Sequence, residues 1–206
     1  MAQGIERNPG PKSGSTQNSL FNISSFNVRG LSSSKTKLRG VIKHCRDSIS
    51  KNSGVVLLQE IHKVDFNYLK LIWDSEFVVN NGSPASRGVA ILCGKNLEII
   101  ASQQDTDGRF IICLIKNISD NSHLVIGNVY APNDFNLATN FFQKFYLELD
   151  AFIANNVDNQ LTYEMIIAGD FNHVSNQEGR KNSSFSEAER RLSVLTNYES
   201  ESRDLV

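Results

Sequence analysis

Apolar residues along this chain recur in two rhythms. Short apolar runs at residues 20–28, 55–58, 77–79, 88–92, 97–101, 109–115, 124–129 and 164–168 are each bounded by turn-forming residues and predict β-strands. The clusters Asn80-Asn81-Gly82-Ser83-Pro84 and Asp105-Thr106-Asp107-Gly108 mark turns between them. Helical spacing appears over residues 34–51, through Leu38, Val41, Ile42, Cys45 and Ile49, and over 137–154, through Leu137, Phe141, Phe145, Leu149 and Phe152. A shorter helix is expected over 64–73, through Phe66, Leu69 and Ile72. Ser186-Glu187-Ala188-Glu189 matches a capping box and predicts a further helix with Ala188, Leu192 and Leu195 inward. Helix-bearing connections flank a run of consecutive strands, and no internal repeat is present. That order predicts an α/β fold of the sandwich type, two packed sheets with helices outside.

Several strands end in polar residues. The run 164–168 leads into Gly169-Asp170-Phe171-Asn172, and residues two apart on an extended chain point the same way, so Asp170 and Asn172 are expected to enter one cleft. Asn27 follows the first strand and Glu60 the second, while 124–129 leads into Tyr130-Ala131-Pro132-Asn133. Such a set suits phosphodiester hydrolysis, which needs a divalent metal on a phosphoryl oxygen, an aimed water and neutralisation of the leaving oxygen. A hard cation such as Mg²⁺ keeps several waters and needs only one or two carboxylates. Glu60 is the natural ligand and Asp170 the natural group to orient or deprotonate water. Asn27, Asn133 and Asn172 offer uncharged donors to phosphate, and Tyr130 a hydroxyl to developing charge. Arg87, ahead of the 88–92 strand, is a candidate for reaching a phosphate, against the plainer reading of a solvated loop arginine.

Composition narrows the setting. The 206 residues suffice for one domain with a real core, and 40% hydrophobic with 21% charged residues is ordinary for a globular chain. No stretch approaches the ~18 apolar residues of a membrane span, so no membrane partner is expected. Cys45, Cys93 and Cys113 lack metal-type spacing, and buried free thiols are expected. The net charge of −1 means that any grip on nucleic acid must come from a local patch or a metal. Lys35/Lys37/Arg39 and Arg180/Lys181 with Arg190/Arg191 are the candidate patches, solvated faces being the alternative. Residues 1–19 are rich in Gly, Ser, Asn, Gln and Pro and predict a disordered lead, ahead of a domain over 20–206.

The strand-end blocks, taken in order, carry a resemblance. Phe26-Asn27-Val28-Arg29-Gly30-Leu31, Leu58-Gln59-Glu60, Gly88-Val89-Ala90-Ile91-Leu92, Asn128-Val129-Tyr130-Ala131-Pro132-Asn133 and Gly169-Asp170-Phe171-Asn172 follow the sequence of blocks in the endonuclease/exonuclease/phosphatase superfamily. Their wording is most similar to the apurinic-type endonuclease domain of non-LTR (LINE) retrotransposons. The resemblance implies a DNA-nicking endonuclease that leaves a 3′-hydroxyl on double-stranded target DNA, primes a reverse transcriptase domain in the parent element, and acts in the nucleus. It implies Mg²⁺, or Mn²⁺ in its place, held by Glu60 with Asn27; Tyr130 and Asn133 on the phosphate; Asp170 on the attacking water; and Asn172 on the transition-state phosphate. Gly4-Ile5-Glu6-Arg7-Asn8-Pro9-Gly10-Pro11 resembles the end of ribosome-skipping 2A-like peptides, with Gly4 in place of their Asp.

One departure bears on activity. The family pattern continues through a Ser-x-Ile-Asp segment to a terminal Ser-Asp-His, and no Ser-Asp-His occurs in these 206 residues. The sheet is therefore expected to lack its last strands. His62, two beyond Glu60, is expected to shape its loop, and His173 to be a loop residue. Two alternatives stay open: a catalytically dead fragment, or another phosphodiesterase of the superfamily acting on lipid or inositol phosphates.

Overall fold

The computed structural model describes residues 21–31, 34–49 and 54–172. The N-terminal lead with its 2A-like segment, the capping-box helix, His173 and the Arg180/Lys181/Arg190/Arg191 patch lie outside the described residues. In chain order the elements are β1 (Asn22–Asn27), α1 (Lys35–Ser48), β2 (Gly54–Gln59), α2 (Phe66–Ile72), β3 (Phe77–Asn80), β4 (Val89–Cys93), β5 (Leu97–Gln104), β6 (Phe110–Asn117), β7 (His123–Tyr130), α3 (Phe135–Asn156) and β8 (Glu164–Asp170). They form two four-stranded mixed sheets, β1-β2-β4-β3 and β5-β6-β7-β8. This is the two-sheet sandwich that the apolar pattern predicts.

Each helix begins where a side chain satisfies otherwise unpaired amides. Ser34 accepts from Lys37 N, Asp65 from Asn67 N and Tyr68 N, and Asp134 from Leu137 N. α1 and α3 are the crossovers that let β1 pair in parallel with β2, and β7 with β8. In consequence, β1, β2, β7 and β8 all point their C-terminal ends the same way within their own sheets, and β1 and β8 meet across the sandwich.

Strand parity sorts the side chains into three cores. On β6, Phe110, Ile112 and Leu114 meet α3, while Ile111, Cys113 and Ile115 face the other sheet. On β2, Val56 and Leu58 lie against α1, while Val55 and Leu57 face inward. The helices cover the outer faces and a third core fills the space between sheets. All three cysteines are buried free thiols, as expected. Burial pushes Cys45 and Cys93 up to about 12 and Cys113 upward as well, so they stay protonated.

β5 runs to Gln104, further than the apolar run 97–101 indicates. It is an edge strand with a register shift between Ile99 and Ala101, and its last residues can be polar because one side faces water. The Asp105–Gly108 turn then forms around the Asp105 carboxylate, which accepts from Asp107 N, Arg109 N and Phe110 N. Among the described residues no helix is long and apolar enough to cross a membrane.

Candidate active site

The inter-sheet faces of β1, β2, β7 and β8 turn polar at one end of the sandwich. On β1 the inward parity of Ile23 continues through Ser25 to Asn27; on β7 that of Leu124 and Ile126 continues through Asn128 to Tyr130; on β8 that of Ile166 and Ala168 continues to Asp170. The register sets Asn27 beside Gln59 and Tyr130 beside Asp170. An open cleft of about 530 Å³ lies there, lined by Ser25, Asn27, Gln59, Gly169, Asp170, Phe171 and Asn172. A larger groove of about 1050 Å³ lies elsewhere, along α2, β3 and β5, and contains none of these residues.

Four of the expected residues converge. Asn27 Nδ2 donates to Glu60 Oε1 at 3.0 Å and to Asp170 Oδ2 at 2.8 Å. Tyr130 Oη donates to the same Glu60 Oε1 at 2.8 Å. One amide from β1 thus joins a carboxylate from the end of β2 to one from the other sheet. Asn27 is itself oriented by Arg29 N, which donates to its Oδ1 at 3.1 Å.

Burial raises the Glu60 carboxyl, but hydrogen bonds from Asn27 and Tyr130 and the charges of His62 and Arg29 outweigh it, leaving the group below its ordinary 4.5. The folded chain therefore binds fewer protons here than the unfolded chain. The stability this contributes is fully present above pH 4.5 and is lost as pH falls through the lowered folded value. Tyr130→Phe removes one of the lowering bonds and is expected to flatten the rise of melting temperature with pH through the acidic range. An unchanged slope would contradict the assignment. Burial and the Glu60 bond push the Tyr130 phenol up to about 12, so it remains a donor at neutral pH.

Backbone strain gathers at the same place. Among the described residues, Arg29, Glu60, His62, Arg87 and Asn172 take positive φ, as does Asn121 far away in sequence. The loop after β2 is clamped on both sides: Gly30 N donates to Glu60 O, Leu31 N to Ile61 O, Ile61 N to Gly88 O and His62 N to Arg87 O. His62 packs its ring over Gly30, where a Cβ would lie 2.6 Å from Cε1, so its place is that of a loop-shaping residue. Lys37 reaches from α1 to the carbonyls of Arg29 (2.9 Å) and Gly30 (2.6 Å). Lys35 and Arg39 lie over the Tyr68 ring instead. All three stay exposed on α1, Lys35 and Arg39 over one tyrosine ring and Lys37 on the loop after β1.

Other expected residues sit differently. Asn172 does line the cleft with Asp170, but not by extended alternation. Its φ is 52°, its N–H donates to Asp170 Oδ1 at 3.0 Å, and its Nδ2 donates to Ala131 O at 2.7 Å. A carboxylate-capped turn, not a pleat, brings the two together. Asn133 is exposed in the loop before α3, outside the described hydrogen-bonded cluster. Arg87 pairs with Asp107 at 3.4 Å, both half exposed.

Three further residues were given no role from the sequence, although Gln59 and Asn128 stand inside the quoted strand-end blocks. Gln59 and Asn128 are buried and bonded to each other at 2.8 Å, and Arg109 donates to Tyr130 O at 3.1 Å with its guanidinium 5.6 Å from the Tyr130 ring centroid. The available signal for the first two was parity: each is a polar residue on the inward phase of an otherwise apolar strand.

Whether a divalent cation fits can be judged from the donors. Among the described residues no three His, Cys, Asp or Glu side chains gather. Glu60 and Asp170 nonetheless converge on the two hydrogens of one amide, so two anionic oxygen donors approach a common point at an accessible rim. An oxygen set with Glu60 as its carboxylate and the Asn27 carboxamide oxygen beside it fits a hard divalent cation that keeps most of its waters, with Asp170 close enough to act on one of them.

The fold has solved counterparts. AP endonuclease LMAP from Leishmania major is 16% identical, with 86% of this chain and 65% of that chain covered and a TM-score of 0.56. D. rerio TDP2 complexed with single strand DNA product is 15% identical, covering 84% and 64% with a TM-score of 0.50. The Bacteroides thetaiotaomicron mannosyl-6-phosphatase Bt3783 is 12% identical, covering 77% and 68% with a TM-score of 0.50. The chain spans from about half (49%) to 70% of the solved chains it resembles. Residues 24–186 match the sequence model of one family, and the chain belongs to it: the Endonuclease/Exonuclease/phosphatase family.

Proposed function

We propose that this chain is a metal-dependent phosphodiesterase that nicks DNA, of the type carried by non-LTR retrotransposons, acting on double-stranded DNA in the nucleus. The observation that carries the reading is the convergence of Asn27, Glu60, Tyr130 and Asp170 from both sheets onto one cleft rim. Enzymes of the family generally depend on a divalent metal, and Glu60 with Asn27 would hold it, Mg²⁺ in the first instance and Mn²⁺ in its place. When bound, the cation supplies Lewis acidity at a phosphoryl oxygen.

The chain's own groups supply the rest. The Glu60 carboxyl is ionised at neutral pH because its hydrogen bonds hold it low. Asp170 accepts from Asn27 on one oxygen and from Asn172 N on the other, which fixes its plane and leaves lone pairs to orient a water and take its proton. Tyr130 keeps its proton, and its single O–H, given to Glu60 here, would turn to negative charge growing on the phosphoryl group. Asn172 keeps a second amide hydrogen for a phosphate oxygen, and Asn133 and Arg87, which do not line the cleft, would contact only a substrate that extends beyond it.

The test is nicking of supercoiled plasmid by the purified chain in Mg²⁺, with EDTA as control, beside hydrolysis of inositol and sugar phosphates. Nicking that EDTA abolishes is the expected result. It would make the strand-end constellation sufficient without a Ser-Asp-His block. Hydrolysis of the small phosphates without nicking would move the assignment to the phosphatase side of the family, and a folded chain inactive on all of them would refute both. Glu60→Ala is expected to weaken Mg²⁺ binding by about tenfold or more, the loss of one charge-assisted ligand of at least ~1.4 kcal/mol. Equal affinity by calorimetry would remove Glu60 from the metal site.

A further inference from the structure

One layer below the cleft rim lies a buried polar contact between the sheets. Gln59 and Asn128 are 1% and 0% exposed. Gln59 continues the inward phase of Val55 and Leu57 on β2, and Asn128 that of Leu124 and Ile126 on β7. Asn128 Oδ1 accepts from Gln59 Nε2 at 2.8 Å, and Asn128 Nδ2 donates to the carbonyls of Leu58 at 3.0 Å and Ala90 at 2.8 Å. One side chain of the second sheet thus grips both β2 and β4 of the first. Gln59 Nε2 also donates to Ser25 Oγ at 3.1 Å, which brings in β1.

The inter-sheet core around this contact is apolar, the other buried polar residues of that phase being Asn80 of β3, whose Nδ2 donates to Asp105 and to Phe110 O of the second sheet, and Asn117 at the far end of β6. Apolar contact is non-directional and tolerates sliding, whereas a hydrogen bond fails within a few tenths of an ångström or a few tens of degrees. A shift of one sheet along the other would strand several buried polar atoms without water, which folding opposes strongly. The leverage on the rim is short. Glu60 is the residue after Gln59, and Tyr130 lies two beyond Asn128 on the same face of β7.

We infer that Asn128, bridged to Gln59, is a positioning residue that fixes the two sheets at the separation and register in which the Tyr130 hydroxyl reaches the Glu60 carboxylate; its catalytic consequence rests on the phosphodiesterase reading above. Asn128 touches neither substrate nor metal. It acts by deciding where Tyr130 stands relative to Glu60. Among the described residues neither bridge residue takes a positive φ, whereas Glu60 directly after Gln59 does, so the bridge sits in ordinary strand backbone beneath a strained loop.

The experiment is a ¹³C NMR titration of the Glu60 carboxyl in the full chain, run beside metal-dependent nicking at saturating and limiting plasmid. Tyr130→Phe defines the titration shift caused by losing the rim bond alone. The double variant Gln59→Leu/Asn128→Leu removes both bridge side chains together, so neither is left unpaired, while Ser25 Oγ and the carbonyls of Leu58 and Ala90 lose a donor. Its Glu60 midpoint is expected to move upward, towards that of Tyr130→Phe, and kcat to fall about 10–100-fold with KM nearly unchanged, the penalty of an ångström-scale misplacement. Gln59→Met removes the side-chain bridge and the Ser25 contact but keeps both carbonyl bonds of Asn128. It is expected to move both readouts the same way by less, and it decides the question if the double variant does not fold. A folded variant with the wild-type Glu60 midpoint and kcat, or with a change in KM alone, would reduce the pair to a structural contact. If the wild-type chain nicks no DNA, the functional reading fails while the titration still decides the positioning role.

Discussion

Asp170→Ala is expected to lower Mg²⁺-dependent nicking by about 10²–10⁴-fold, the usual worth of a positioned general base, and to leave the chain folded. Asp170 ends β8 at the open cleft, and its oxygens accept from Asn27 Nδ2 and Asn172 N. Removing it strands neither donor away from water, because both contacts are at the exposed rim. The loss should therefore fall on kcat, with melting temperature changed little. Asp170→Asn separates charge from shape. It keeps the volume and one acceptor oxygen but cannot take a proton, so it should be nearly as slow as alanine. If Asp170→Asn retains wild-type kcat, the carboxylate has no part in activating water and the role passes to another group at the rim. A fall in activity matched by loss of cooperative unfolding would instead mark Asp170 as a structural residue.

Gly169→Ala has the largest expected effect on stability. Gly169 pairs with Val129 across the parallel β7–β8 ladder and takes φ 140°, where L side chains are strained. A Cβ built there lies 2.1 Å from Val129 O and 2.8 Å from Val129 N. The obstacle is backbone of a central strand, which has no rotamer by which to yield. Strain at such a φ and overpacking together amount to about 3–5 kcal/mol, a fall in melting temperature of roughly 10 °C for a chain of this size. Gly40→Ala is the matched control. Gly40 lies within α1 with nothing within 4 Å of its built Cβ, and alanine there should stabilise by up to ~1 kcal/mol. Equal melting temperatures for the two variants would mean that β8 is not held against β7 as described. Because Asp170 is the next residue, Gly169→Ala is also expected to displace the carboxylate and lower activity beyond what partial unfolding explains.

Much of this arrangement was legible along the chain because it depends on local periodicity. The apolar runs located the described strands to within a few residues, and the helical spacing located α1, α2 and α3. Where the strand reading stopped short, at Ser102-Gln103-Gln104 of β5, the missing signal was burial: an edge strand needs no apolar residues on its open side. Asn27, Glu60, Tyr130 and Asp170 were legible as site candidates because polar residues at the ends of buried strands are costly unless they share a cleft. Asn172 reached that cleft by another route, since a turn held by the Asp170 carboxylate replaced the extended geometry assumed from spacing. Arg87 and Asn133 carried no such constraint, and the fold left them at the periphery.

The sequence by itself determined which residues alternate, which face of each strand is apolar, and where each face turns polar. Those properties follow from a period of two residues and the cost of burying unpaired polar groups, and both act along the chain. Only the tertiary structure decided that the ends of β1, β2, β7 and β8 meet, that Asn27 joins two carboxylates 143 and 33 positions away, and that Gln59 and Asn128 face one another across the sandwich. Periodicity says nothing about which sheet a strand enters. That choice is made by crossover connections and by the fit of two apolar faces, and it turns scattered polar strand ends into one site.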